Sequence, residues 1–302
     1  MDLRSKIILI YGPTASGKSD FAIKLAKKIN GEIINADSMQ VYKELKILTA
    51  RPFKVDFQKI KHHLYGFQNC NKDFSTGDWL KIVTKKINEI QTRKKIPILV
   101  GGTGLYFKAL TDGLVEITSI PLKLRNKIRL LQKSIGQEKF YKKLLMIDPT
   151  IINHIEPTDV QRSIRAYEVK LFTKKSITEW YKNTKSKFKK KEFLKLYIDY
   201  PRFDLIKKIN LRTEQMLNMG AVLEVKRFLK HKISKNRSIS KAIGVSEIKD
   251  FIKKKITEDE VIDKISIKTR QYAKRQVTWA RGHMISWKKI NPKRLNIFIK
   301  KI

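Results

Sequence analysis

One short turn constrains this chain of 302 residues more than any other feature. Gly12, Pro13, Thr14, Ala15, Ser16, Gly17, Lys18 and Ser19 spell G-x-x-x-x-G-K-S. Residues 6–11 (KIILIY) precede it and read as a buried strand. After it, Phe21, Ala22, Leu25, Ala26 and Ile29 fall at helical spacing. Strand, glycine-rich turn and helix in that order are the setting in which the pattern has a physical meaning. Glycines let backbone N–H groups wrap an anion, and the start of the helix adds a favourable dipole. Lys18 then reaches terminal phosphates, and Ser19 offers its hydroxyl to Mg²⁺. All eight residues are expected to form a diphosphate site, with Ser19 as the metal contact.

The rest of the first hundred residues keeps alternating. Residues 32–35 (EIIN) and 96–100 (IPILV) read as further buried strands. Ser75 and Asp78 resemble a capping box that opens a helix running to about Thr92. Strands alternating with helices predict an α/β fold, a P-loop core whose parallel sheet is flanked by helices. Residues 117–193 hold no convincing strand and read as Lys-rich helices broken near Gly136, Pro149 and Pro157. Residues 196–200 (LYIDY) look like a return to the sheet. Helices are then expected over 203–219, 221–230 and 257–280, the last opened by a Thr257/Glu260 capping box. The expected division is a core of residues 1–116 and 196–302 with an all-helical insertion at 117–195.

Charge is the loudest bulk property. Lys and Arg number 67 against 28 Asp and Glu, a formal net charge of +39. Such an excess favours polyanionic partners through phosphate neutralisation and counterion release. Enrichment in Lys, Ile and Asn together is also what an AT-rich genome produces, so charge alone does not establish nucleic-acid binding. Lys runs such as residues 185–191 are ordinarily solvated faces. Cys70 is the one cysteine, which excludes an intrachain disulfide framework and a cysteine-rich zinc site. No apolar stretch is long enough to span a membrane or serve as a signal core, and a cytoplasmic monomer is expected.

The turn binds phosphates without specifying ATP. Nucleotide hydrolases place an Asp at the end of an apolar strand to help hold Mg²⁺. Residues 96–100 run instead into Gly101, Gly102, Thr103 and Gly104, which leaves another diphosphate open.

Several further segments then fall into one pattern. They are NADSMQVY at 35–42, TARP at 49–52, HHL at 62–64, VGGTGLY at 100–106, DVQRSIRA at 159–166, KAIG at 241–244 and TRQYAKRQVTW at 269–279. In order and spacing, from about Ile7 to Arg281, the chain resembles the bacterial tRNA dimethylallyltransferase family, also called tRNA isopentenyltransferases. The resemblance implies transfer of a dimethylallyl group from dimethylallyl diphosphate to N6 of the adenosine just 3′ of the anticodon, in tRNAs reading codons that start with U. It implies Mg²⁺ and a P-loop core with a helical insertion that contacts the anticodon stem-loop.

The resemblance also carries roles. Asp37 matches the family's candidate general base, and Arg212 a phosphate-contacting arginine. Lys18 and Thr103 join them at the reaction centre. Asp37, Ser38, Met39, Gln40, Thr103, Arg125, Gln161, Arg162, Ser163, Ile164 and Arg165 match positions that contact tRNA. Gln40 has the donor and acceptor to read a base edge, and Arg162 and Arg165 lie near one helical face where they could grip phosphates. His62 and His63 read as structural or pocket-lining, since no third metal ligand accompanies them. Tyr272 and Trp279, seven apart, read as core. Where the family usually has Gly-Tyr-Arg/Lys, this chain has Gly244, Val245 and Ser246, without an aromatic to stack or a cation for a phosphate. Two other functions compete: a small-molecule kinase on the same P-loop core, and a non-catalytic RNA-binding protein whose affinity survives loss of Lys18.

Overall fold

The first apolar run is buried along its whole length, and its side chains part in alternation between two cores. In the computed structural model, which describes residues 3, 5–57, 59–115, 117–182 and 184–301, this run is β1 (Ile7–Tyr11). Ile7, Leu9 and Tyr11 enter one core, and Ile8 and Ile10 enter the other. A strand covered on both faces belongs inside a parallel sheet. The chain continues through α1 (Lys18–Ile29), β2 (Gly31–Asn35), β3 (His62–His63), α2 (Thr76–Thr92), β4 (Ile96–Gly101) and α3 (Gly104–Asp112). Then come α4 (Leu122–Ile147), α5 (Val160–Thr173) and α6 (Ile177–Lys182). The sheet resumes with β5 (Phe193–Ile198), followed by α7 (Arg202–Asn218), α8 (Ala221–Leu229), α9 (Val245–Ile252), α10 (Glu258–His283), β6 (Lys288–Ile290) and α11 (Leu295–Lys301).

The strand order is β3-β2-β4-β1-β5-β6, and every pair is parallel. Trp79, Val83, Ile87 and Ile90 of α2 cover one face together with Phe107 of α3 and Ala280 of α10. Phe21, Ala22 and Leu25 of α1 cover the other, with Phe298 of α11 against them. This is the expected α/β class. Both expected capping boxes form: Ser75 with Asp78 at the start of α2, and Thr257 with Glu260 at the start of α10.

Two compact units result, residues 1–111 with 187–302, and residues 112–186. The expected segment ends at residues 1, 116 and 302 lie outside the described residues. One end of the expected insertion is corrected. β5 begins at Phe193, because Phe193, Leu194 and Lys195 pair with Ile7, Ile8 and Leu9 of β1. Lys195 interrupts the apolar run there and hides the start of the strand from a reading of hydrophobicity. In the second unit α4 kinks at Gly136 (φ 78°), and Pro149 opens a 3₁₀ turn.

The sheet's edge holds an ion cluster. Glu32 of β2 is buried, and its carboxylate accepts from His63 Nε2 and Arg93 at 2.7 Å each, with Lys95 at 3.6 Å. Burial alone would raise its pKa, but hydrogen bonds from Arg93 and His63 bring it below the ordinary carboxylate value. The contribution of Glu32 to stability is therefore present above the ordinary carboxylate range and lost as pH falls through the depressed value.

Strand ends in this sheet approach closely where the site will form. A Cβ on Gly101, the last residue of β4, would lie 2.0 Å from the Ala36 carbonyl oxygen. Neither partner is a flexible side chain, so a methyl group must part β2 from β4. Gly101→Ala is expected to cost about 1–3 kcal/mol or more, as overpacking does, read as a lower urea midpoint at unchanged m-value.

Candidate active site at the strand ends

Parallel sheets gather ligands at the carboxyl ends of their strands. Here β1, β2 and β4 deliver three loops to one place. The loop after β1 holds residues 12–17 and runs into α1, which carries Lys18 and Ser19, through Gly17 in the left-handed region (φ 76°). Ala15 also takes a left-handed φ of 64°, a conformation L-residues adopt at a cost and which collects at functional sites. Lys18 Nζ donates to the Pro13 carbonyl at 3.1 Å, folding the lysine back over its own loop. Arg212 of α7 reaches the same loop, donating to Thr14 Oγ1 at 2.8 Å.

The loop after β2 presents Asp37. Asn35 fixes it from both sides: its Oδ1 accepts from the Asp37 amide at 2.9 Å, and its Nδ2 donates to the Asp37 carbonyl at 3.0 Å. Asp37 Oδ1 accepts from the amides of Met39 (2.9 Å) and Gln40 (3.4 Å). The loop after β4 joins it through Thr103, whose Oγ1 accepts from the Ser38 amide at 2.9 Å. Gln40 makes a different contact from the expected one. Its side-chain amide donates to the backbone carbonyls of Thr49 (2.9 Å) and Ala50 (3.1 Å), so those donors hold a loop instead of facing a ligand.

A cleft of about 280 Å³ opens between these loops, lined by Thr14, Asp37, Ser38 and Met39 and by Arg212, Tyr272 and Arg275. A larger groove of about 670 Å³ lies along α7 and α10, but none of the motif residues of the P-loop, Asp37 or Thr103 lines it. Chemistry, not volume, locates the site. Burial lowers the Lys18 amine to about 8 against an opposing pull from the Asp37 charge. The same two influences leave Arg212 at about 10. Both cations are thus poorly solvated, with one nearby carboxylate. The phenols of Tyr65, Tyr106 and Tyr272 are pushed up by burial first and by Asp37's negative charge second.

Sequence reasoning missed three contributors. Tyr272 lines the cleft and is corrected from the expected core position; Trp279 covers Gly104, where a Cβ would strike its ring at 2.3 Å. Arg275 lies over the Tyr272 ring, 5.8 Å from its centre. Gln276 is 4% exposed and bridges two of the loops. Its Oε1 accepts from the Thr14 amide at 2.8 Å, and its Nε2 donates to the Gly102 carbonyl at 2.9 Å. The TRQYAKRQVTW segment was the available signal, but nothing local marks which of its residues turn inward.

In the second unit, Gln161 and Arg162 are exposed at the start of α5, and Arg162 pairs loosely with Asp159 (3.5 Å). Ser163 and Ile164 are corrections. Ser163 is fully buried, donating to the Asp159 carbonyl and accepting from Gln137. Ile164 packs with Ile128 and Phe140. At helical spacing these two turn toward the unit's core, so neither side chain faces a partner. Arg125, Arg129 and Arg165 converge on the buried Glu168 at 3.5, 3.8 and 3.4 Å.

The model of the IPP transferase family matches residues 40–283. Over 302 residues the chain is 62% identical to the tRNA dimethylallyltransferase of Pelagibacter ubique (strain HTCC1062), covering all of this chain and 96% of that protein. The chain belongs to the IPP transferase family. Its fold is similar to the crystal structure of the tRNA delta(2)-isopentenylpyrophosphate transferase of Staphylococcus epidermidis, at TM-score 0.69 and 32% identity over 98% of this chain and 96% of that one. It is also similar to a eukaryotic dimethylallyltransferase captured acting on tRNA, at TM-score 0.84 and 30% identity over 95% of this chain and 74% of that one. The family model's match begins after the P-loop and Asp37, so the case for those residues rests on the geometry above.

A neutral Lys18 must take up a proton to hold an anion. Diphosphate also loses protons in this range, so the Lys18 contribution is read as the ratio of wild-type to Lys18→Met affinity for inorganic diphosphate, expected to be flat below about pH 8 and to fall by up to about tenfold per pH unit above it, measured by calorimetry between pH 6.5 and 9.5.

Proposed function

We propose that this protein transfers a dimethylallyl group from dimethylallyl diphosphate to N6 of the adenosine immediately 3′ of the anticodon, in tRNAs reading codons that start with U, and releases diphosphate. One observation carries the reading: a single cleft has phosphate-binding groups on one wall and a held carboxylate on the other. The tRNA dimethylallyltransferase name of its close relative supports the donor and the acceptor.

The reaction joins N6 to the first carbon of the dimethylallyl group as that carbon's bond to the diphosphate oxygen breaks. The electron pair leaves with the diphosphate. Lys18, Arg212 and the backbone amides of Ala15, Gly17, Lys18 and Ser19 meet the charge that develops there. The adenine amine is a weak nucleophile because its lone pair is delocalised into the ring. Asp37 accepts its hydrogen bond and then its proton. Two backbone amides engage Oδ1, which leaves Oδ2 for the base. The adenine reaches this cleft by leaving the anticodon-loop stack, as bases do in enzymes that modify them.

Mg²⁺ would be held at the P-loop. Among the described residues no cluster of His, Cys, Asp or Glu could hold a metal ion. The Ser19 hydroxyl in the first turn of α1 would hold the ion. When bound, the ion neutralises diphosphate charge beside Lys18. In the insertion, Gln161 and Arg162 meet the RNA backbone. Arg125 and Arg165 share one carboxylate with Arg129, so the group keeps a positive excess for phosphates.

The first test is a transfer assay with labelled dimethylallyl diphosphate, Mg²⁺ and unmodified tRNA, beside a tRNA lacking the target adenosine. Label in the first tRNA alone is expected; label in neither, or phosphorylation from ATP, rejects the reading. Asp37→Asn keeps an oxygen for the Met39 and Gln40 amides but no base, and should lower kcat by about 10²–10⁴-fold with tRNA affinity unchanged. Near-normal turnover would remove Asp37 from the mechanism. Affinity for tRNA should fall steeply and linearly in log–log salt titration; a flat titration rejects the charge argument.

A further inference from the structure

Residues 46–51 turn back on themselves beside the cleft, and Leu48 and Thr49 form part of its lining. Three successive backbone amides of this loop point at one side chain from elsewhere. Lys46 and Ile47 donate to Glu224 Oε1 at 2.7 and 2.8 Å, and Leu48 donates to Oε2 at 3.0 Å. Consecutive N–H groups that converge on an anion form a nest, ordinarily a place for a phosphate. Here the anion is the protein's own, supplied from the first turn of α8.

The rest of the loop hangs on that contact. The Arg51 amide closes back on the Lys46 carbonyl at 3.0 Å and the Ala50 amide on the Ile47 carbonyl at 2.9 Å, with Ala50 in the left-handed region at φ 49°. The carbonyls of Thr49 and Ala50 in turn receive the Gln40 side chain. Glu224 itself is not part of the cleft lining. It acts on the cleft only through the loop it holds.

We infer that Glu224 is a positioning residue for the acceptor half of the cleft: by holding the amides of residues 46–48 it sets Leu48 and Thr49 in the wall that seats the incoming base. The inference rests on the reading of Asp37's side as the acceptor side. Asp37 has independent anchors in Asn35, and Ser38 in Thr103, and the P-loop is anchored by Gln276 and Arg212. Loss of Glu224 therefore spares the reacting groups and the donor, and it falls on how well tRNA is seated.

Glu224→Gln keeps the shape but turns an N–H₂ group toward amides that need an acceptor. It is expected to raise the KM for tRNA by roughly tenfold, the scale of one charged hydrogen bond lost, with kcat and the affinity for dimethylallyl diphosphate unchanged. Hydrogen exchange at the amides of residues 46–48 should speed up, and Glu224→Asp, one methylene shorter, should give intermediate values of both. An unchanged tRNA KM, unchanged exchange at 46–48, or an equal loss of donor affinity overturns the inference. Should Glu224→Gln not fold, the Asp variant carries the same test at smaller amplitude. If the wild-type protein transfers nothing, the functional reading fails, while exchange at 46–48 in the variants still decides whether Glu224 holds the loop.

Discussion

Gln276 holds together two loops that the sheet alone leaves apart. The turn after β1 and the end of β4 each expose a backbone group that no ladder or helix satisfies, the Thr14 N–H and the Gly102 carbonyl. A buried unpaired backbone group costs about as much as a lost hydrogen bond. A primary amide can accept from the first and donate to the second; a carboxylate or an ammonium can do only one. The fit sets its own demand, because a Cβ on Gly102 would lie 2.1 Å from Gln276 Nε2. The Tyr11 hydroxyl adds a third tie, donating to the Gln276 backbone carbonyl at 2.9 Å. So α10, which begins more than 150 residues after β4, is a wall of the site as much as a cover for the sheet. The two halves of the cleft inherit their spacing from that one side chain.

What could be read from the sequence is what is local. The P-loop declares itself because strand, turn and helix are contiguous, and the starts of α2 and α10 because a capping box spans four residues. β3 and β6, of two and three residues, are too short for any periodicity to register, and β5's start is masked by Lys195. Lys18, Asp37 and Thr103 were legible as candidates because they lie within contiguous motifs, and Arg212 only through the resemblance. Gln276, Tyr272 and Glu224 were not, since each acts across a long stretch of chain. Residue type also misleads about orientation. Gln40 carries the right groups to read a base, yet its donors hold residues 49 and 50. Ser163 and Ile164 share a motif with Arg162 and Arg165 but face the opposite way on the same helix.

A bulk charge of +39 becomes informative only once it is located. Many lysines lie exposed on helices and loops, where salt screens them and no geometry is imposed. The arginines around Glu168 differ, because one buried carboxylate orders three guanidiniums that would otherwise repel one another. Such a cluster is over-compensated, and a planar guanidinium presents its spare donors in a fixed fork suited to phosphate oxygens. Position, more than number, separates a recognition surface from a compositional habit.

The same logic governs the donor side. Lys18 and Arg212 are partly desolvated before any ligand arrives, and their lowered pKa values record the cost of holding them charged. Asp37 relieves part of that cost, and an entering diphosphate relieves more. Because the cations are already in place, the oxygen that gains charge as its carbon leaves meets fixed partners and needs no rearrangement of solvent. Facing these cations, Asp37 has one of its oxygens held by the Met39 and Gln40 amides. Across one narrow cleft the carboxylate therefore helps to keep the two cations charged. An anion on the cation side and a neutral base on the carboxylate side are the pair of ligands that leave this balance intact.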